Sequence, residues 1–340
     1  MSESWWLPEH FTRKRAVLER RAACLRATRR FFDDAGFMEV ETPALQVSPG
    51  MEPHIKFFST ALDEPFGAGT RSLHLHTSPE FAMKKLLVAG MERIYQVARV
   101  FRNGERSDLH HPEFAMIEWY RVGESLEALM ADCEGLIRAL PEWSAGCDRD
   151  APFERLTVAE AFERYADVDL LPTFAAGEAD PDPARLAREA QNIGLEPRDG
   201  ERWEDIFFRI FLERIEPKLG RERPTFLTHY PAPMAALART VPDQPKLALR
   251  FELYVDGVEL ANAFDELTDA KEQRTRFAHD AALRQRLYGL PAPIDEDFLA
   301  ALERGLPPSV GIALGFDRLV MLATGSKRIE DVLWALVAGE

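Results

Sequence analysis

Residues 101–120, FRNGERSDLHHPEFAMIEWY, set Arg102, His110, His111, Glu118 and Tyr120 close together in the chain. Arginine and histidine suit phosphate or carboxylate oxygens, whereas a carboxylate beside a phenol suits an ammonium group. FAMIEWYRV alternates as a strand does. Phe114, Glu118 and Tyr120 therefore share one face, and Ile117 and Trp119 take the other, the expected core face. A ring, a carboxylate and a phenol on the open side predict a binding platform, with Arg102 on the paired strand. A plain cross-strand ion pair between Arg102 and Glu118 is the competing reading.

Other elements must hold that hairpin. IYQVARVFR predicts the antiparallel partner strand, joined through a polar loop from Asn103 to Pro112. RKRAVLERRAACLRATRR, from Arg13 to Arg30, reads as a helix with an apolar stripe of Leu18, Ala22, Leu25 and Phe32, stopping at Gly36. FMEVETPAL follows as a strand ended by Pro43, and a Gly/Pro-rich loop runs through Pro49 to Gly69. SLHLHTSPE then alternates, and EFAMKKLLVAG reads as a short helix. The stretch 146–220 differs in composition, with EADPDPARLAREAQ and WEDIFFRIFLERI predicted as helices behind acidic, proline-containing loops. In ALRFELYV-DG-VELANAF, Asp256-Gly257 suits a two-residue type I′ turn between alternating strands. KEQRTRFAHDAALRQRLYG is helical, and SVGIALG is a strand entering a helix at FDRLVMLATG. The order predicts an α+β fold, an antiparallel sheet flanked by helices, as a single domain over 1–340 with a helical insertion at 146–220.

Composition excludes several classes. At 46% hydrophobic and 29% charged over 340 residues the chain is ordinary for a soluble globular protein, with no apolar run of membrane-spanning length. MSESWWLPEHFTRKR lacks the apolar core of a signal peptide, so a cytoplasmic location is expected. Cys24, Cys133 and Cys147 are odd in number and scattered, against a disulfide framework or four-ligand zinc. A net charge of −15 disfavours wide nucleic-acid contact. His74-x-His76 has no third ligand at metal spacing and reads as packing, and Trp5-Trp6 reads as terminal aromatics packed on their own domain.

Four segments in order carry a family resemblance. GFMEVETPAL, the 101–120 stretch and GIALGFDRLVML resemble motifs 1, 2 and 3 of the class II aminoacyl-tRNA synthetases. TSPEFAMKKLLVAG, HPEFAMIEWY and ELANAFDELTDAKEQRTRF are similar to the lysine subclass. Lysyl-tRNA synthetases carry an oligonucleotide-binding barrel first, but here only about a dozen residues precede the first family helix, too few for a domain. No anticodon-binding domain is expected. That architecture, with ELANAF and the alanine of GIALG, resembles the free-standing relatives that attach lysine or (R)-β-lysine to elongation factor P. A truncated enzyme charging tRNA and an inactive regulatory relative remain the alternatives.

The resemblance implies ATP-dependent adenylation of lysine or (R)-β-lysine and transfer to a lysine of elongation factor P, with Mg2+ and a homodimer built on motif 1. It assigns ATP to Arg102, Asn103, Glu105, His110, His111, Phe114, Glu259, Leu260, Gly315 and Arg318, with Arg102 at the α-phosphate, Arg318 at the γ-phosphate and Phe114 under adenine. Magnesium falls to Glu259 and Glu266. The amino acid falls to Ser78, Pro79, Glu80, Glu118, Tyr120, Asn262, Glu266 and Ala313; two ammonium groups need buried carboxylates to offset their desolvation. Three positions depart from the pattern: Gly104 displaces the usual glutamate to Glu105, His111 replaces an asparagine, and Ala263 replaces a glycine and is expected to crowd the ATP side by one methyl.

Overall fold

The computed structural model describes residues 6–290 and 292–337. In chain order the elements begin with α1 (Pro8–Asp34), β1 (Met38–Glu39), β2 (Leu45–Gln46), β3 (Phe58–Asp63), β4 (Thr70–Leu75) and α2 (Glu80–Val88). Next come β5 (Arg93–Phe101), β6 (Glu113–Val122), α3 (Leu126–Ala139), β7 (Glu154–Thr157), α4 (Val158–Ala166), α5 (Pro183–Asn192) and α6 (Trp203–Ile210), which runs on into a π-helical turn at Phe211–Ile215. The chain continues with β8 (Thr225–Pro231), β9 (Thr240–Val241), β10 (Gln244–Val255) and β11 (Val258–Asp265). It closes with α7 (Ala270–Tyr288), α8 (Glu296–Gly305), β12 (Ser309–Gly315), α9 (Phe316–Thr324) and the short α10 (Ile329–Val332).

The fold is α+β, in two compact units. One comprises Met1–Glu124, Ala139–Ser144 and Thr268–Glu340; the other comprises Ser125–Arg138 and Ala145–Leu267. In the first, β1 pairs parallel to β5, β5 antiparallel to β6, and β6 antiparallel to β12, while β2, β4 and β3 form a small separate sheet. In the second, β10 lies between β11 and β8, both antiparallel, with β7 parallel to β8 and β9 on β10.

Strand alternation sorts β6 as the sequence predicts. Ile117 and Trp119 are fully buried, and Trp119 meets Phe32 of α1 edge to face at 5.2 Å, so the helix stripe covers that side of the sheet. Phe32 also stacks on Tyr95 of β5 at 4.5 Å. At the β10–β11 hairpin, Asp256 and Gly257 have φ of 53° and 75°, the left-handed pair a type I′ turn needs.

Local differences have physical reasons. Of the strand expected over FMEVETPAL, only Met38–Glu39 pair with β5, because the chain approaching Pro43 leaves that edge after Val40 N–H donates to the Tyr95 carbonyl, and Leu45 pairs instead with β4. The expected loop through Pro49 to Gly69 contains β3, an edge strand of mixed polar residues whose alternation was too weak to read. Trp6 is 63% exposed rather than packed, and Trp5 lies outside the described residues.

Candidate functional site

In the first unit, β6 carries Glu118 between two neighbours in register, Gln96 of β5 and Ala313 of β12. Glu118 is 1% exposed and Tyr120 2% exposed, so the expected open platform is a buried floor. Two hydroxyls hold the carboxylate: Ser78 Oγ donates to Oε2 at 2.6 Å and Tyr120 OH to Oε1 at 2.6 Å. Ser78 Oγ also accepts from the Glu80 amide at 3.1 Å, which ties the start of α2 to β6. Pro79 is the N-cap of α2, and Glu80 in its first turn suits the positive end of the helix dipole. One turn later Lys84, 2% exposed, pairs with Glu80 at 2.6 Å. Burial first, and then the charge of Glu80, push the Glu118 carboxyl up to about 7, although both hydroxyls and Lys84 oppose the shift. Among the described residues Glu118 has no ion pair of its own. A buried carboxylate in this state is suited to an incoming ammonium, which would replace its proton.

A second cluster in the same unit is basic. Arg102 lies just beyond β5, its amide bonded to the Pro112 carbonyl at 2.9 Å, and its guanidinium sits over the Phe114 ring at 5.2 Å. The competing Arg102–Glu118 ion pair does not form, because the register sets Gln96 opposite Glu118. Arg102 Nε is buried without a hydrogen-bond partner, a donor suited to an anion. Arg318 Nη2 approaches His110 Nε2 at 2.7 Å. Since guanidinium only donates, Nε2 must accept, leaving the proton on Nδ1, which lies 2.8 Å from Ser107 Oγ. Burial and then the Arg318 charge hold His110 below its ordinary range, consistent with that neutral form. The adjacent Asp317 is 1% exposed, pairs with Arg21 of α1 and accepts from the Ala115 amide of β6 at 2.7 Å, so it bolts the start of α9 to helix and sheet. A β-carbon at Gly315 would lie against the Arg318 side chain at 3.6 Å.

The motif 2 departures are accommodated. Gly104 has φ of 80°, a left-handed turn that favours glycine, and Asn103 donates its amide to the Lys56 carbonyl at 2.8 Å. Glu105 stays partly exposed near His110. His111 is buried, with Nδ1 2.7 Å from the Glu113 carbonyl.

In the second unit the decisive feature is a bulge in β11. Glu252 opposes Asn262, Leu253 opposes Ala261, and Tyr254 opposes Glu259, so Leu260 is an extra residue. Glu252 and Tyr254 share a face of β10, which puts Glu259 and Asn262 on one face despite their unlike parity. Leu260 is 2% exposed, leaving only its backbone for a ligand. Ala263 alternates to the face opposite Asn262 and is fully buried, so its methyl does not enter the face that carries Glu259. Glu266, 1% exposed, follows β11 in a bridge with Ala238. Among the described residues no three His, Cys, Asp or Glu side chains form a metal cluster. Magnesium, which keeps water and phosphate ligands, asks for only one or two carboxylates.

A family model described as "tRNA synthetases class II (D, K and N)" matches residues 6–334. The chain belongs to the class II tRNA synthetase family. Among curated relatives, proteins named "Elongation factor P--(R)-beta-lysine ligase" from Proteus mirabilis and Erwinia tasmaniensis are 43% and 42% identical, each alignment covering 94% of this chain and 94% of the relative. The same name belongs to a Haemophilus ducreyi protein 39% identical over 93% of this chain and 92% of its own. Family membership makes the chain a ligase of the ATP-using, synthetase-like kind. No described helix is long and apolar enough to cross a membrane.

The first unit thus brings together Ser78, Pro79, Glu80, Glu118, Tyr120 and Ala313, and separately His110 with Arg318 and Arg102 with Phe114. Sequence reasoning missed Lys84, although its spacing of four from Glu80 on a helix was a usable signal. It also missed Asp317 and Gln96, whose parts depend on register and on contacts distant in sequence.

Proposed function

We propose that the protein adenylates lysine or (R)-β-lysine with ATP and passes the aminoacyl group to a lysine of elongation factor P. The observation that carries this is Glu118, a buried carboxylate with an elevated pKa and hydroxyl donors, in register with Ala313 on the floor of the first unit. The names of relatives aligned over nearly the whole chain support the acceptor.

In the first step a substrate carboxylate oxygen bonds to the α-phosphorus of ATP, and the bond to the β-phosphate oxygen breaks, releasing pyrophosphate. In the second the acceptor amine attacks the aminoacyl carbonyl, AMP leaves with the electron pair, and the amine loses a proton. Arg102 faces the developing charge at phosphorus, with Phe114 as the ring beneath a base. Arg318, oriented by Asp317 and His110, meets the terminal phosphate, with Gly315 leaving room beside it; Asn103, Glu105 and His111 shape the loop. Glu118 and Tyr120 receive one substrate ammonium. Glu80, already paired with Lys84, offers its other oxygen to the second, with Ser78 and Pro79 setting its position. In the second unit Glu259 and Glu266 would hold Mg2+, which would neutralise phosphate charge, the Leu260 backbone borders the nucleotide, and Asn262 donates to the substrate carboxylate. We propose also a homodimer through α1 and β1. Met38 of β1 is 58% exposed, and Leu45 of β2 and Val47 just after it are 44% and 42% exposed, apolar surface that an isologous contact would cover.

The experiment is pyrophosphate exchange with each lysine isomer, followed by transfer to elongation factor P and to tRNA. Exchange with strong preference for the protein acceptor is expected; comparable charging of tRNA would overturn the acceptor. Arg102→Ala should slow exchange by hundreds-fold, as loss of a donor to transition-state charge costs about 2.7 to 4 kcal/mol, while ATP still binds. A rate near wild type would make the arginine structural. Light scattering at micromolar concentration tests the dimer.

A further inference from the structure

The two ends of a carboxamide differ only in what they offer: the oxygen accepts and the nitrogen donates. At Asn262 the neighbour decides which end faces where. Arg250 Nε donates to Asn262 Oδ1 at 3.1 Å. A guanidinium has no acceptor, so no other orientation of the amide satisfies this contact, and the Nδ2 hydrogens are turned away from Arg250.

Arg250 is itself fixed on every side. Its Nη2 donates to Glu252 Oε1 at 2.6 Å and its Nη1 to the Met234 carbonyl at 2.7 Å. The guanidinium lies 4.4 Å from the Tyr230 ring centroid and 5.7 Å from that of Phe264. Tyr230 and Tyr254 each donate to Glu252 Oε2 at 2.5 Å. Glu252, Tyr230 and Tyr254 are buried, whereas Asn262 is only partly so. A buried, charge-matched network therefore ends in one amide at the surface of its own unit, on the face that carries Glu259.

We propose that Arg250 is a positioning residue for the substrate carboxylate: it holds the Asn262 amide oxygen inward, so that the Nδ2 donors meet a ligand that can only accept. The inference rests on the reading of Asn262 as a substrate contact. A reversed amide would set its oxygen against the carboxylate, and a lysine at 250 has no planar fork to grip both Asn262 and Glu252.

The test is calorimetric binding to the full chain of whichever lysine isomer drives exchange, against cadaverine, which keeps two ammonium groups and lacks the carboxylate. Arg250→Lys and Asn262→Asp should each cut the preference for the amino acid by about 10- to 100-fold, the worth of hydrogen bonds to a charged group, with cadaverine affinity within about twofold of wild type. In wild-type protein the Asn262 side-chain amide resonances, assigned by their loss in Asn262→Ser, should shift with the amino acid and not with cadaverine. That measurement decides the matter if Arg250→Lys fails to fold. Asn262→Asp losing the preference while Arg250→Lys keeps it overturns the role of Arg250 alone. Asn262→Asp keeping the preference removes the reading of Asn262, and the proposal with it. Equal loss of both ligands in Arg250→Lys, or amide resonances indifferent to the carboxylate, also overturns it.

Discussion

Glu118 in the first unit and Glu252 in the second are both buried carboxylates gripped by tyrosine hydroxyls. Tyr120 and Ser78 hold Glu118; Tyr230 and Tyr254 hold Glu252. The difference is the cation. Glu252 has Arg250 at 2.6 Å, while Lys84, the ammonium whose charge acts on Glu118, is engaged by Glu80. One cluster is electrically complete and builds scaffold. The other keeps an elevated pKa and so leaves a place for a charge the chain does not supply.

Removing each charge should break the comparison in opposite ways. Glu118→Gln is expected to lower kcat/KM for the amino acid by about a hundred-fold or more, since an ammonium would lose its buried partner, with KM for ATP little changed. In wild type the amino-acid KM should fall as pH rises through about 7, where Glu118 ionises before binding, and the substitution should flatten that profile. Stability follows the same proton. A carboxyl raised from 4.5 to about 7 contributes stability below its ordinary value and loses it as pH rises through 7. Melting curves should therefore show Glu118→Gln gaining on wild type at alkaline pH. An equal difference at acid and alkaline pH would contradict this.

Glu252→Gln is expected to do the reverse, leaving Arg250 buried without its carboxylate and costing about 3 kcal/mol of stability, read by denaturant titration. A variant as stable as wild type would show that the tyrosines alone hold the cluster. Lys84→Met sharpens the contrast more gently. Without that ammonium Glu118 should hold its proton more tightly, moving the inflection of the amino-acid KM profile to higher pH by on the order of one unit, and Lys84→Arg should restore it. The smallest change is Ala313→Gly, beside Glu118 in register. Removing one methyl is worth roughly 1 kcal/mol, so preference should shift from (R)-β-lysine toward lysine by several-fold in exchange assays. An unchanged ratio of specificity constants would free Ala313 of that role.

Much of this was legible before the structure. Alternation separated Glu118 from Trp119 on β6, turn chemistry found Asp256-Gly257, and motif order assigned the family. Burial was not legible, because Glu118 looks like any carboxylate on an open strand until Gln96, Ala313 and α2 close around it. Partners distant in sequence were equally hidden. Asp317 reads as a first-turn helix acid, and only the packing of α1 against α9 reveals it as the ion-pair partner of Arg21. Ala263 lies an even four residues from Glu259, which plain alternation would put on one face, and only the extra residue Leu260 sends its methyl to the other.

Leu260 gives β11 a phase as well as a sequence. Residues on the turn side of it count from one origin and those beyond from another, and Glu259 and Asn262 share a face only because the two counts differ by one. A deletion of that single leucine would leave the pairing on both sides in place and set Glu259 and Asn262 two apart, on one face by plain alternation, so it is pairing of the leucine itself against Tyr254 that would turn Glu259 to the opposite face. An alignment gap at the leucine would therefore mark a flattened hairpin that has kept the carboxylate on its face, whereas a chain that keeps the leucine must also keep the bulge.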